Sequence, residues 1–191
     1  MCKPAHILLL AACLLLCSTP LRAQDRLLGV FQSPKGAGVT AMLDTAGGWE
    51  TNILTLRTDL YGILTGRTRT PGVFFCYTHD YYFFSYEWDD WALLLHAGAG
   101  GMLGYAHDFE KGFFSSFDRE LTHPMGGVAA VTGSAGLRAD FSRRLTLDVS
   151  LTAAPGIHLR TDPITGALIL SFYRSGVFHA YYPQVNLLYR F

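Results

Sequence analysis

The chain has 191 residues, with 15 lysine and arginine residues against 15 aspartate and glutamate residues, so its formal net charge is zero. This length predicts a single domain, and the lack of a basic excess or a basic face argues against nucleic-acid binding. Aromatic residues make up 14% of the chain and glycine is frequent. No segment shows the period of an amphipathic helix, so the composition favours an all-β protein.

The first 23 residues have the organisation of a secretory signal peptide. Lys3 supplies the positive charge, "ILLLAACLLLC" is the apolar stretch, and Ala23 is a small residue before Gln24. The apolar stretch is about 11 residues long, whereas a membrane helix needs roughly 20. We therefore expect residues 1–23 to be removed. Residues 24–191 would then form the mature domain, with 13 basic and 15 acidic residues.

The cysteines leave one alternative for this segment. "LAAC" at Leu10–Cys13 resembles a lipoprotein cleavage box in which Cys13 is lipidated. Under the signal-peptide interpretation only Cys76 remains in the mature chain, which excludes an intrachain disulfide. A single cysteine does not make a zinc site, and we expect no metal and no cofactor.

Eight segments with a period of two are interpreted as strands. The clearest is "RRLTLDVSLTA", in which leucine and valine alternate with threonine, aspartate and serine. Turn-forming sequences such as "TAGG", "DFSRR" and "TDPITG" separate the segments. The predicted strands lie near residues 36–45, 50–65, 71–80, 89–105, 126–140, 144–159, 166–173 and 177–191.

Alternating strands suit either a soluble β-domain or a membrane β-barrel, because either fold has two unlike faces. Two features favour the barrel. Aromatic residues cluster near strand ends, in "YYFFSYEWDDW", "FFSSF" and "HAYY", as in the aromatic girdles of membrane barrels. Closure also leaves no unpaired strand edge facing lipid.

The last residues of the sequence carry a family resemblance. Val185, Leu187, Tyr189 and Phe191 alternate with other residues up to the final position, although Pro183 departs from the pattern. This ending resembles the C-terminal signal of bacterial outer-membrane β-barrel proteins. Together with the signal peptide and the eight predicted strands, the resemblance implies a single antiparallel eight-stranded barrel in the outer membrane of a Gram-negative bacterium, surrounded by outer-membrane lipid. It also implies recognition by the barrel-assembly machinery.

The strand count conflicts with this orientation. If the C-terminus is periplasmic, eight strands counted backwards put the long 106–125 connector on the periplasmic side. Barrels normally keep their long loops outside. Either one strand is miscounted or the protein is unusual.

Charged residues in the polar rows lead to a hypothesis about the barrel interior. An eight-stranded barrel is just wide enough for side chains to fill it, and charges there must pair or be solvated. We therefore expect a connected lumen network in which Asp148 neutralises an arginine. The members of this network are Arg57, Asp59, Arg138, Asp148 and Arg190.

A lipid-modifying enzyme with a histidine and a serine near the barrel rim is an alternative. Candidates are His79, Asp80, His107, Asp108, Ser115, Ser116 and His123. Neighbouring residues of a strand point to opposite faces, which argues against pairing of His79 with Asp80, and no "HxS" arrangement occurs. We therefore assign no catalytic residue.

The glycine-rich segment Gly98–Gly104 does not match a nucleotide-binding loop, because position 103 is leucine and no helix pattern follows. A glycine-rich barrel strand is the better interpretation, with His96 beside it in the lumen. The sequence thus favours a non-enzymatic barrel with a closed polar lumen and a structural or surface-interaction role. A porin-like narrow pore and a soluble periplasmic β-domain remain alternatives, and no external partner is indicated.

Overall fold

Ten β-strands make up the regular structure of the described residues in the computed structural model. Residues 25–33, 36–58, 72–89, 91–106, 126–161, 165–173 and 181–191 are described, so the predicted signal peptide lies outside them. None of these ranges forms a helix long and apolar enough to cross a membrane. The strands are β1 (Arg26–Ser33), β2 (Gly36–Asp44), β3 (Glu50–Thr58), β4 (Val73–Trp88), β5 (Trp91–Ala106), β6 (Gly126–Asp140), β7 (Leu145–Ala153), β8 (Gly156–Thr161), β9 (Leu168–Tyr173) and β10 (Tyr181–Arg190).

Eight of these strands close into a ring of antiparallel neighbours. Each of β1 to β6 pairs with the next strand, and β10 closes the ring by pairing with both β7 and β1. β8 continues β7 beyond Pro155 and pairs with β6 in the same register, while β9 pairs with β8. The predicted eight-stranded antiparallel barrel is therefore confirmed as the fold.

The strand list differs from the sequence prediction in several places. The predicted strand 144–159 is divided into β7 and β8, and the strand predicted at 71–80 continues to Trp88 as β4. β1 was not predicted, because its inward residues Leu27 and Phe31 are as apolar as the outward Leu28 and Val30, and so the alternation is lost. The segments predicted at 166–173 and 177–191 correspond to β9 and β10, of which only β10 belongs to the eight-stranded ring.

The additional strand β1 resolves the conflict over the side of the membrane on which the long connector lies. With β1 included, Asp25 and Phe191 lie at the same end of the barrel, where the backbone N–H of Phe191 donates to the carbonyl of Arg26. The connectors at this end are the short segments 45–49, 89–90 and 141–144. The long connectors 59–72 and 107–125 join strands at the opposite end, the usual arrangement in membrane barrels.

The register around the ring is staggered. A row of paired residues that starts at Asp148 on β7 returns to the same wall at His158 on β8, ten residues further along the chain. The successive register partners between these two residues are Asn186, Phe31, Gly38, Arg57, Phe74, Gly104 and Val128. This stagger tilts the strands and brings side chains that are remote in sequence to one height in the lumen.

The two faces of the wall are inverted relative to a soluble protein. The outward row is apolar and accessible: Val131 is 67% exposed, Leu103 64% and Val30 59%. The inward row is mainly polar and buried, as in β7, where Thr146 and Asp148 have no exposed surface. Two small apolar clusters complete the interior. They comprise Leu27, Met42, Ile53 and Leu188 in one, and Phe74, Cys76, Met102, Val128 and Ala154 in the other.

Candidate functional site in the barrel lumen

A histidine between two aspartates occupies the middle of the lumen. The Nδ1 atom of His96 lies 2.7 Å from Oδ2 of Asp80, and its Nε2 atom lies 2.7 Å from Oδ2 of Asp148. All three side chains are at most 1% exposed. When both carboxylates are ionised they only accept hydrogen bonds, so both ring nitrogens of His96 then donate, and the ring carries a positive charge between two negative ones.

Neutral side chains extend this group, which we call the His96 cluster (Asp80, His96, Ser134, Asp148, Gln184 and Asn186). The hydroxyl of Ser134 donates to Asp80 at 2.7 Å, and the amide of Asn186 donates to the second oxygen of Asp148. Gln184 donates to Asn186 at 2.8 Å. The cluster connects β4, β5, β6, β7 and β10, so it ties opposite sides of the wall together. These extra donors also reduce the cost of burying one surplus negative charge.

Two glycines provide the space that the His96 cluster needs. Gly98 lies opposite Asp80 in the β4–β5 register, and Gly136 lies opposite His96 in the β5–β6 register. A Cβ atom on Gly98 would lie 2.4 Å from Oδ1 of Asp80, and one on Gly136 would lie 2.4 Å from Nε2 of His96. The glycine-rich strand interior is thus matched to the bulk of the facing polar side chains.

A second group, the Arg138 cluster, fills the lumen near the chain termini. The guanidinium of Arg138 donates to both carboxylate oxygens of Asp44, at 3.0 and 2.9 Å, and to Asp140 at 3.0 Å. It also donates to the hydroxyl of Tyr82, which donates to Asp44. Arg190 reaches Asp140 at 2.6 Å. With these five residues, strands β2, β4, β6 and β10 are joined across the lumen.

The five residues of the predicted lumen network fall into different environments. Arg138 and Arg190 meet at Asp140, whereas Asp148 belongs to the His96 cluster. Arg57 is buried elsewhere, with its guanidinium carbon 4.4 Å from the centre of the Phe74 ring. Asp59 lies outside the described residues.

The partner of Asp148 is not the expected arginine. Arg138 is its neighbour in the β6–β7 register, yet the long Arg138 side chain reaches Asp44 and Asp140 instead. Asp148 bonds to His96 and Asn186. The sequence placed His96 in the lumen, but not beside Asp80 and Asp148, because that contact depends on the stagger of the closed barrel.

Neither His79 nor His96 lies in a catalytic arrangement. His79 points outward, where Nδ1 lies 3.0 Å from Oδ1 of Asn52, while Asp80 points inward. The hydroxyl of Ser134 donates to Asp80 and so is not activated by His96. In the same ranges, no group of metal-ligating side chains has the geometry of a metal site. The candidates His107, Asp108, Ser115, Ser116 and His123 lie outside the described residues.

The residues of the predicted assembly signal lie on the outer wall. Val185, Leu187 and Tyr189 alternate with buried residues along β10, and Phe191 is 76% exposed. The rings of Tyr189 and Phe191 meet edge to face, with centroids 5.3 Å apart. More exposed aromatic residues lie near the same end of the barrel, namely Trp49, Tyr81, Tyr86, Trp88, Trp91 and Phe141. They have the position of an interfacial aromatic girdle.

The fold and its lumen define a class: a small closed antiparallel β-barrel with an apolar exterior and a polar, packed interior. Among solved structures, the chain is similar to the N-terminal β-barrel domain of OprF from Pseudomonas aeruginosa. The two share 9% sequence identity and a TM-score of 0.53, over 88% of this chain and 97% of that domain. The resemblance to outer-membrane β-barrel proteins is thereby confirmed at the level of the fold.

A major outer membrane protein from Thermus thermophilus is also similar, with 12% identity and a TM-score of 0.48. The match covers 89% of this chain and 100% of that one. No family model matches the chain, and no curated protein matches it significantly.

Proposed function

We propose that the protein is an integral outer-membrane β-barrel of a Gram-negative bacterium, non-enzymatic, with a closed polar lumen and a structural or surface-interaction role. The observation that carries this proposal is the inverted burial of the wall. Leu103, Val131 and Val185 are accessible on the outside, while Asp80, His96 and Asp148 are sealed within. In water this arrangement would expose an apolar surface far larger than a soluble monomer tolerates. In a bilayer the same surface faces hydrocarbon.

The packing of the lumen supports closure rather than conduction. The His96 cluster and the Arg138 cluster each cross the barrel, and the two are adjacent where the rings of Tyr82 and His96 lie 6.0 Å apart. A hollow bordered by Arg57, Phe74 and Gln184 measures about 10 Å³. This volume is close to the minimum that holds one water molecule, so it offers no continuous path for solutes.

The orientation follows from the lengths of the connectors. We place the short connectors and both ends of the described chain on the periplasmic side, with the connectors 59–72 and 107–125 outside. Export requires cleavage of the signal peptide at residues 1–23. The barrel-assembly machinery recognises Val185, Leu187, Tyr189 and Phe191. The external connectors are then the natural contact region for a surface partner, whose identity is open.

Cell fractionation combined with a heat-modifiability gel tests the proposal. The protein should be recovered with the outer membrane and should migrate differently before and after boiling, because a closed barrel resists unfolding in detergent. An epitope tag inserted in 107–125 should react on intact cells, whereas one inserted in 141–144 should react only after permeabilisation. Recovery of the protein in the soluble periplasmic fraction would overturn the proposal.

A further inference from the structure

The outer wall of the barrel has an apolar trough over strands β5 and β6. Most outward positions here carry almost no side chain, namely Ala97, Ala99 and Gly101 on β5, and Ala129, Gly133 and Ala135 on β6, whereas Leu103 and Val131 project outward among them. The row from Ala97 to Gly101 is about 14 Å long at the rise of an antiparallel strand. This run of small outward residues forms the lower part of the trough, and Leu103 and Val131 project into its upper part.

Larger side chains border the upper part of the trough. Phe75 and Tyr77 project from β4 on one side, and Pro155 and Ile157 lie on the other. The groove between them has a volume of about 580 Å³. Gly101 and Ala129 lie at its floor, and Leu103 and Val131 project into it. One register row runs from Phe75 through Leu103 and Ala129 to Ile157.

A polar patch adjoins the trough on its periplasmic side. The hydroxyl of Tyr77 donates to Oδ1 of Asn52 at 2.8 Å, and Nδ1 of His79 donates to the same oxygen at 3.0 Å. The Nε2 atom of His79 lies 3.8 Å from the carboxylate of Glu50. Tyr77 therefore belongs to both surfaces: its ring borders the groove and its hydroxyl enters the patch. The His79 and Glu50 side chains are about a third exposed or more, which leaves them accessible from outside.

We propose that the trough holds an acyl chain of one membrane phospholipid whose zwitterionic headgroup sits at the patch of Glu50, Asn52 and His79. The proposal rests on the proposed membrane location of the barrel. The Glu50 carboxylate is complementary to an ammonium group, and the N–H groups of the Asn52 amide provide donors for a phosphate. The Nε2 atom of His79 adds a further donor when its ring is protonated. An apolar trough that runs directly into a patch with both kinds of group matches the two ends of a single amphiphile.

The shape of the trough favours a lipid chain over a second barrel. The wall of another barrel is convex, so it would rest on the projecting side chains of Phe75, Leu103, Val131 and Ile157 and leave Gly101 and Ala129 between them without contacts. Unfilled apolar space loses dispersion contacts on both sides. A flexible hydrocarbon chain is narrow enough to reach the floor and follow it.

Native mass spectrometry on the purified, detergent-solubilised protein with added palmitoyl-oleoyl-phosphatidylethanolamine tests this proposal. The wild type should retain one lipid per barrel. In the variant Gly101→Phe the groove is filled, and the fraction with one bound lipid should fall roughly tenfold, as expected when about two methylene groups lose their contacts with protein. Val39→Phe introduces the same side chain at an outward position of β2, away from the groove, and this variant should retain the lipid.

Two further variants keep the test decisive. Ala129→Leu fills the floor less severely and replaces Gly101→Phe if that variant does not give a heat-modifiable barrel. Glu50→Gln should weaken retention of phosphatidylethanolamine but not of phosphatidylglycerol, which has no ammonium group. The proposal is overturned if the wild-type barrel retains no lipid, if filling the groove leaves retention unchanged, or if groove filling instead abolishes a dimer. Each of these results would leave the membrane location standing, which the fractionation tests separately.

Discussion

His96 and Gly136 face each other across the β5–β6 ladder, and the histidine ring occupies the space that a side chain at Gly136 would need. A Cβ atom at Gly136 would lie 2.4 Å from Nε2 of His96 and 2.8 Å from Cβ of Ser150. Both neighbours are fixed, since His96 is bonded on each side to a carboxylate and Ser150 is buried in β7. One methyl group at this position therefore disturbs the whole His96 cluster.

We accordingly expect Gly136→Ala to destabilise the barrel by about 1–3 kcal/mol, the usual cost of overpacking. Gly133→Ala is the matched control on the same strand, because its nearest neighbour outside the adjacent residues is the carbonyl oxygen of Gly98 at 3.9 Å. Urea unfolding of the two variants in lipid vesicles measures the difference. Equal stability of the two would contradict the assigned role of Gly136.

Asp148→Ala should destabilise the protein by about 3–5 kcal/mol, because it removes one partner of a buried charge pair. A double-mutant cycle identifies that partner. We expect a coupling energy between Asp148→Ala and His96→Ala of roughly 0.5–3 kcal/mol, larger than the coupling between Asp148→Ala and Arg138→Ala. A larger coupling energy with Arg138 than with His96 would instead support the arginine partner that the sequence predicts for Asp148.

Arg138→Lys should also be destabilising, by about 1.5–3 kcal/mol for each charged hydrogen bond that is lost. A lysine ammonium does not reproduce the planar fork with which Arg138 bonds both Asp44 and Asp140. Arg143→Lys, at an exposed turn position, is the control and should leave the unfolding curve unchanged. A similar result for both variants would show that the Arg138 cluster does not stabilise the barrel.

Leu147→Arg and Ser150→Ala test the assignment of the two faces of β7. Leu147 lies on the outer face, where arginine near the bilayer midplane costs roughly 2–4 kcal/mol. Ser150 is in the lumen, and its change to alanine removes only a hydroxyl, so the effect should be smaller. Unfolding free energies in vesicles provide the comparison, and a reversed ranking would mean that the strand faces the other way.

The closed lumen predicts the behaviour of the protein in planar bilayers. The purified barrel should give no steady single-channel steps, because the His96 and Arg138 clusters both span the interior. The gel shift on heating must be measured in parallel to verify the folded barrel, so that a failure to insert is not mistaken for a closed lumen. Reproducible conductance steps of the wild type would favour the narrow-pore alternative.

The alternation of side chains by itself determined much of the barrel. In β7, leucine and valine alternate with threonine, aspartate and serine, and this local pattern predicted both faces of the strand before any strand pairing was known. The same period placed Arg57, Arg138, Asp148 and Arg190 on inward rows. Such information is local, because neighbouring residues of an extended chain point to opposite sides whatever the strand pairs with.

Only the tertiary structure decided which inward residues meet. His96 and Asp148 are 52 positions apart, and Arg138 and Asp44 are 94 apart. Their contacts follow from the ten-residue stagger, which is the sum of eight strand registers and is not encoded in any one strand. The same holds for β1, whose apolar inward face hides its alternation and which is defined as a strand by its pairing with β2 and β10. Closure of the ring, rather than local sequence, thus sets the partners of the buried charges.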